Sequence, residues 1–345
     1  MNHSSNTFRK SLTFSKLSSL LILLLVSLLT ACGSNNGAAV QLPSQEAPVQ
    51  TEAVTKEAAI EPSGVTASAT RVVSDELGNE LTIPIAPARV YSPYMEDSLV
   101  ALGVTPVVQW ANGDKPQTYL QDQLKDVPLA PFIGGDHPSP ELVMSFEPDL
   151  IILHNAYYGQ NGVYEQYSKI APTYVFNNAA GDLENSIPKL GDLLGKPAEA
   201  QQALLTYHQK IDEAKTKLAP IIKGKKAALI RFTSRGMFLV GGNYFGGYVL
   251  SHELGIGKTK LVETENSADL SLEVIPQIDA DFIFIANVDD TGTAFLQELT
   301  ESAVWKSLPA VKNGQVFEVD DEYWLGSGLI AYQKIMDDVV QTLLP

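Results

Sequence analysis

SPELVMSFEPDLIIL, residues 139–153, and SLEVIPQIDADFIFI, residues 271–285, follow one pattern. In each, a Ser is followed two positions on by a Glu (Glu141, Glu273). Then come a large apolar residue (Phe146, Ile278), an acid (Glu147, Asp279), an Asp (Asp149, Asp281) and an apolar run. Ser is a good N-cap and Pro140 suits the first helical position, so Glu141 and Glu273 are expected at N2, facing the positive end of a short helix. The apolar run that follows predicts a buried strand. Five matched offsets, repeated 132 residues apart, predict two α/β lobes with one such helix–strand unit in each.

The flanking sequence supports this. RVVSDELGNELTIP, from Arg71, alternates around a Gly-Asn turn and reads as a hairpin. A strand–helix rhythm follows: RVYS, the helix MEDSLVALG, VTPVVQW, the quoted unit, YEQYSKIA and PTYVFNN. From Asp182 to about Ile222 the rhythm stops and only helical pattern remains. Ala203, Leu204, Tyr207, Ile211, Ala214 and Leu218 recur at helical spacing between Pro197 and Pro220. The rhythm then resumes from KAALIRF to the terminal helix LIAYQKIMDDVVQTLL. The expected fold is therefore α/β: two lobes with central, mostly parallel sheets, joined by one long α-helix. The N-terminal lobe spans 71–180, the helical bridge 181–223 and the C-terminal lobe 224–345.

The first 70 residues have a different character. Arg9, Lys10 and Lys16 precede the apolar LSSLLILLLVSLL, and Leu29-Thr30-Ala31-Cys32 resembles a bacterial lipobox. Residues 1–31 read as a lipoprotein signal peptide, with Cys32 the lipidated first residue of the mature chain. Residues 32–70 contain no aromatic residue and are rich in Ala, Pro, Glu, Ser and Thr, the composition of a disordered tether. Cys32 is the only Cys, so no internal disulfide is expected.

Removing the signal peptide takes away three basic residues and no acidic one, moving the formal charge from −16 to about −19. Such a surface argues against nucleic acid and against electrostatic attraction to anionic lipid. There is no CxxC, HExxH, GxSxG or phosphate-cradling loop, so no catalytic residue is assigned. His137, His154, His208 and His252 fit no tight metal motif, and no metal site is assigned.

In α/β sheets, ligands bind outside the carboxyl ends of the strands. The loops there carry Tyr94, Trp110, Tyr157 and Tyr158 in the first lobe, and Arg231, Arg235, Tyr244, Phe245, Tyr323 and Trp324 in the second. These are the candidate ligand-binding residues, with Lys115 a more distant basic group. They describe an aromatic-walled, mildly cationic cleft that suits a bulky, oxygen-rich ligand.

The opening RVVSDELGNELTIPIAPARV with MEDSLVALGV, and the two quoted units, resemble the iron-siderophore class of ABC-transporter substrate-binding lipoproteins. The resemblance runs from about Arg71 to the C-terminus. It implies two lobes bridged by one long helix, with a ferric siderophore held between them. Iron would arrive chelated, with no cofactor and no protein ligand to the metal. It also implies that Glu141 and Glu273 dock onto arginines of a dimeric ABC permease with a cytoplasmic ATPase. The receptor would be an extracytoplasmic monomer anchored to the cell membrane through Cys32. Tyr244 and Phe245 without an Arg in GGNYFGGYVLSHELG leave the ligand subclass open between a hydroxamate and a mixed carboxylate. Alternatives are a haem or cobalamin receptor of the same fold, a zinc or manganese receptor, and a surface-anchored hydrolase or metallo-enzyme.

Overall fold

The computed structural model describes residues 69–112, 115–131 and 137–344. The signal segment, Cys32 and all of the tether except its last two residues lie outside the described residues. Among the described residues no helix is long and apolar enough to cross a membrane.

The hairpin forms as the sequence predicts. Strands Thr70–Ser74 and Glu80–Pro84 pair antiparallel. Their turn is held by Asp75, whose carboxylate accepts the N–H groups of Leu77 at 3.0 Å and Asn79 at 2.8 Å. Gly78 supplies the left-handed residue, with φ 88°.

In the first lobe Val90–Tyr91, Leu150–Leu153 and Thr173–Val175 form a parallel sheet with Leu150–Leu153 at its centre. All three strands are buried along their whole length, which explains their unbroken apolar runs. A second small sheet places Gln109–Asn112 between Lys115–Pro116 and Leu129–Pro131.

The second lobe has a single six-stranded sheet. Its main path runs Ser267–Leu270, Gly236–Val240, Lys226–Thr233, Phe282–Asn287, Val316–Glu318, and Gly257–Lys258 pairs with the start of Lys226–Thr233. Three of its five strand pairings are parallel and two are antiparallel. Lys226–Thr233 turns through Ser234-Arg235 directly into Gly236–Val240, and a two-residue connection permits only antiparallel pairing. The sheet is mostly parallel, as expected, with an antiparallel margin on this side.

The two quoted units share one structural task at their carboxyl halves. Asp149 accepts the N–H groups of Ala88 and Arg89 at 2.8 and 2.9 Å, pinning the start of Val90–Tyr91. Asp281 accepts the Lys226 N–H at 2.9 Å and the Lys225 Nζ at 2.8 Å, pinning the start of Lys226–Thr233. The acid two positions earlier meets the basic residue at the same strand start. Arg89 lies 3.9 Å from Glu147, and Lys226 lies 2.6 Å from Asp279.

Between the lobes, Leu183–Leu193 leads into a helix of 26 residues, Pro197–Ile222, roughly 39 Å long at 1.5 Å per residue. It buries Ala200, Tyr207, Ile211, Ala214, Leu218 and Ile222. Its buried face belongs to a core that also takes in the terminal helix Leu329–Leu343 and residues of both lobes. The start of that terminal helix is capped by a residue of the other lobe. Asp97 is only 2% exposed, and its carboxylate accepts the N–H groups of Ile330 and Ala331 at 2.8 and 2.7 Å, and the Tyr119 hydroxyl at 3.2 Å. Gly328 precedes this helix with φ 136°, and a Cβ there would collide with the Asp97 carboxylate. Two further contacts join the lobes along this seam. Lys115 Nζ lies 2.9 Å from Asp289, and Thr118 donates its N–H and hydroxyl to Glu322 at 2.7 and 2.6 Å.

Candidate ligand-binding site

The first-lobe wall is a cluster of rings. Tyr94 lies 5.1 Å from Trp110, 5.0 Å from His154 and 5.4 Å from Tyr158, centroid to centroid. Tyr158 also meets His154 at 4.5 Å and His137 at 4.8 Å. Tyr94 is presented by a strained backbone, with φ 66° just before the helix Glu96–Ala101; a non-Gly residue there costs about 1–3 kcal/mol. Behind the wall Glu96, 1% exposed, accepts the Trp110 N–H at 2.7 Å. Burial raises Glu96 to about 7 against the opposing pull of that N–H. Burial, and then the neighbouring His137, push His154 down to about 4, so the imidazole is neutral at physiological pH. This wall is aromatic and polar, and its His154 is neutral.

The second-lobe wall follows from strand alternation. Arg231 and Thr233 lie two apart on Lys226–Thr233, Phe238 is opposite Arg231, and Ser267 is opposite Val240. Side chains two apart, and those directly opposite, project from one face of a sheet. With Arg235, Tyr244 and Phe245 these residues line a hollow of about 390 Å³. Tyr244 and Phe245 meet edge-to-face at 4.6 Å. Phe245, like Tyr94, has a left-handed backbone (φ 56°) at a helix start. That helix passes from α to π winding at Val249–Glu253. Ser327 and Gly328 share a narrow hollow with Tyr94 and His154, while Gly246 backs onto Trp324.

Seven of the ten candidate ligand residues thus fall into two groups: Tyr94, Trp110 and Tyr158 on one wall, and Arg231, Arg235, Tyr244 and Phe245 on the other. The remaining three depart from expectation. Trp324 is fully buried, stacked 4.8 Å from Phe284, with its Nε1 donating to Asp338 at 2.8 Å; it is core, not cleft. Tyr323 donates to the same carboxylate at 2.7 Å and meets Tyr119 edge-on across the lobe seam. Tyr157 is 66% exposed and lines a separate hollow with His137, Ser139, Gln160 and Gln166. Lys115 is engaged by Asp289. The structure adds His154 and His137 to the first wall, and Thr233, Phe238 and Ser267 to the second.

The paired glutamates also differ. Ser139 caps the helix Pro140–Ser145, accepting the Leu142 N–H at 3.3 Å, and Glu141 is exposed at N2 as expected. Its own backbone N–H and the Ser139 hydroxyl hold its carboxyl below the ordinary glutamate range. Glu273 is exposed in a turn followed by one short 3₁₀ segment, Ile275–Gln277. No α-helix forms there, because Pro276 removes a backbone donor inside the expected helix.

Comparison with known proteins agrees with this architecture. The chain belongs to the periplasmic binding protein family, whose sequence profile matches residues 90–323. Among individual relatives, it is 30% identical to the iron(3+)-hydroxamate-binding protein YxeB of Bacillus subtilis, over 79% of this chain and 85% of that one. It is 29% identical to the probable siderophore-binding lipoprotein YfiY of the same organism, over 80% and 89%. Among solved structures, Staphylococcus aureus SirA complexed with staphyloferrin B superposes with TM-score 0.69 at 28% identity, covering 79% of this chain and 98% of that one.

Proposed function

We propose that this chain is the extracytoplasmic receptor of an ABC importer, capturing a ferric siderophore between its lobes and delivering it to a dimeric permease. The observation that carries the reading is the pair of unlike surfaces: a cluster of rings on one lobe and an arginine-lined hollow on the other. Ring faces and guanidinium groups together suit a bulky chelate rich in oxygen. The relatives named for iron(3+)-hydroxamate and siderophore binding support the same class of ligand. In this reading the iron arrives already chelated, the protein performs no catalysis, and the ligand is a hydroxamate or mixed-carboxylate complex. Lipidation at Cys32 holds a monomeric receptor at the membrane, and Glu141 and Glu273 meet the two permease halves.

The test is a tryptophan-fluorescence titration with a panel of ferric chelates, in which Trp110 reports occupancy of the first wall. Saturable quenching by at least one chelate at micromolar concentration or below is expected. Absence of quenching by every chelate, together with a Soret band on adding haemin, would replace this reading with a haem receptor.

A further inference from the structure

The arginines of the second wall stand out in a chain with 40 acidic and 24 basic residues. Of the four described arginines, Arg71 and Arg89 sit within 4.0 Å of a carboxylate. Neither Arg231 nor Arg235 has such a partner among the described residues. The Nε of Arg231 is buried and has no hydrogen-bond partner. Burial, and then Arg235, pull Arg231 below its ordinary value, although a guanidinium stays charged at physiological pH. The result is a half-buried Arg231 beside an exposed Arg235 in a hollow of about 390 Å³, lined also by Thr233 and Ser267. A buried charge without a partner is costly, so the empty site is poised for an anion.

We propose that this hollow is a carboxylate subsite. The ligand is then a carboxylate-bearing ferric chelate of one or two negative charges, seated with its carboxylate on the second lobe and its uncharged face on the first. The proposal rests on the receptor reading above and narrows its ligand class. The planar fork of a guanidinium matches a carboxylate with two parallel hydrogen bonds, and the Ser267 hydroxyl can donate to a remaining lone pair; the Thr233 hydroxyl is already engaged by Gly236 and Arg235. Two arginines neutralise at most two charges. On the opposite wall His154 is neutral and Lys115 is bound to Asp289. A tris-catecholate complex with three negative charges would keep an unpaired charge, and an uncharged trihydroxamate would offer the guanidiniums oxygen acceptors but no compensating charge.

The experiment is a fluorescence titration of the wild type, Arg231→Ala, Arg231→Lys and Arg235→Ala. The probes are ferric citrate, ferric rhizoferrin (a dicitrate chelate), ferrichrome (an uncharged trihydroxamate) and ferric enterobactin (a tris-catecholate). Thermal melts establish that each variant is folded. A carboxylate chelate is expected to bind most tightly, with affinity falling as salt is raised. Arg231→Ala should weaken it about tenfold or more, and Arg231→Lys by less, because Lys restores the charge but not the fork. Arg235→Ala, at a more exposed position, should weaken it about threefold. Tighter binding of ferrichrome or ferric enterobactin, or an unchanged carboxylate affinity in folded Arg231→Ala, overturns the subsite while leaving the receptor reading intact. Failure of all four probes overturns both.

Discussion

The segments 139–153 and 271–285 have matching sequences but fold alike only in their second halves. There, Asp149 and Asp281 each accept hydrogen bonds at the start of the neighbouring strand, and Glu147 and Asp279 each face a basic residue at that start. In the first halves a capped helix, Pro140–Ser145, stands against a turn and a single 3₁₀ segment. The repeated aspartates therefore have a local structural cause, the same in both lobes. The glutamates do not share one. Glu141 gains from a helix end, whereas Glu273 has no such helix beneath it and still occupies the matching place, exposed. A local account covers one of the two, which favours a shared outward task such as permease docking.

The largest effect should come from breaking that outward task. Glu141→Ala with Glu273→Ala is expected to reduce siderophore-dependent uptake in cells by at least about tenfold, while ligand affinity stays within about twofold. Each single variant should fall between. If the double variant loses affinity instead, the two residues belong to ligand capture.

Next in size are the strand anchors. Asp149→Ala and Asp281→Ala each remove two hydrogen bonds to a carboxylate at a partly exposed strand start, and each should cost about 2 kcal/mol. The readout is the urea midpoint at constant m-value. Similar losses in the two variants would bear out the parallel between the lobes. A loss below about 0.5 kcal/mol in only one would end it.

These contrasts also mark what the sequence could convey. The bridging helix was legible because Tyr207, Ile211, Ala214 and Leu218 repeat at helical spacing and are buried together. The hairpin was legible from Asp75 and Gly78, whose turn chemistry is local. Arg231 was legible as a basic group at the carboxyl end of the strand KAALIRF. The errors have non-local causes. Trp324 looked like a cleft aromatic at a strand end, but its indole donates to Asp338 on the terminal helix. Glu96 and Asp97, within MEDSLVALG, carry no local sign that they are buried. Their burial is set by Trp110 and by the terminal helix start, the latter 233 residues away. Only Pro276 was a local signal that the pattern match passed over.

The smallest expected effects concern the cap that one segment has and the other lacks. Ser139→Ala removes the side-chain acceptor for the Leu142 N–H and should cost about 1 kcal/mol or less, since this cap is exposed and long. The same hydroxyl, after the backbone N–H of Glu141 itself, holds the Glu141 carboxyl below the ordinary glutamate range. A folded-state value that is lowered gives stability present above the unfolded value and lost as pH falls through the folded one. The Glu141 contribution should therefore fade on acidification below the usual carboxylate range, and Ser139→Ala should shrink it by moving Glu141 back up. Carboxyl NMR titration of the wild type and Ser139→Ala measures this directly. A Glu141 titration unmoved by loss of the hydroxyl would mean that the helix-end N–H alone sets its acidity, and that the Ser shared by both segments is not what distinguishes the capped one.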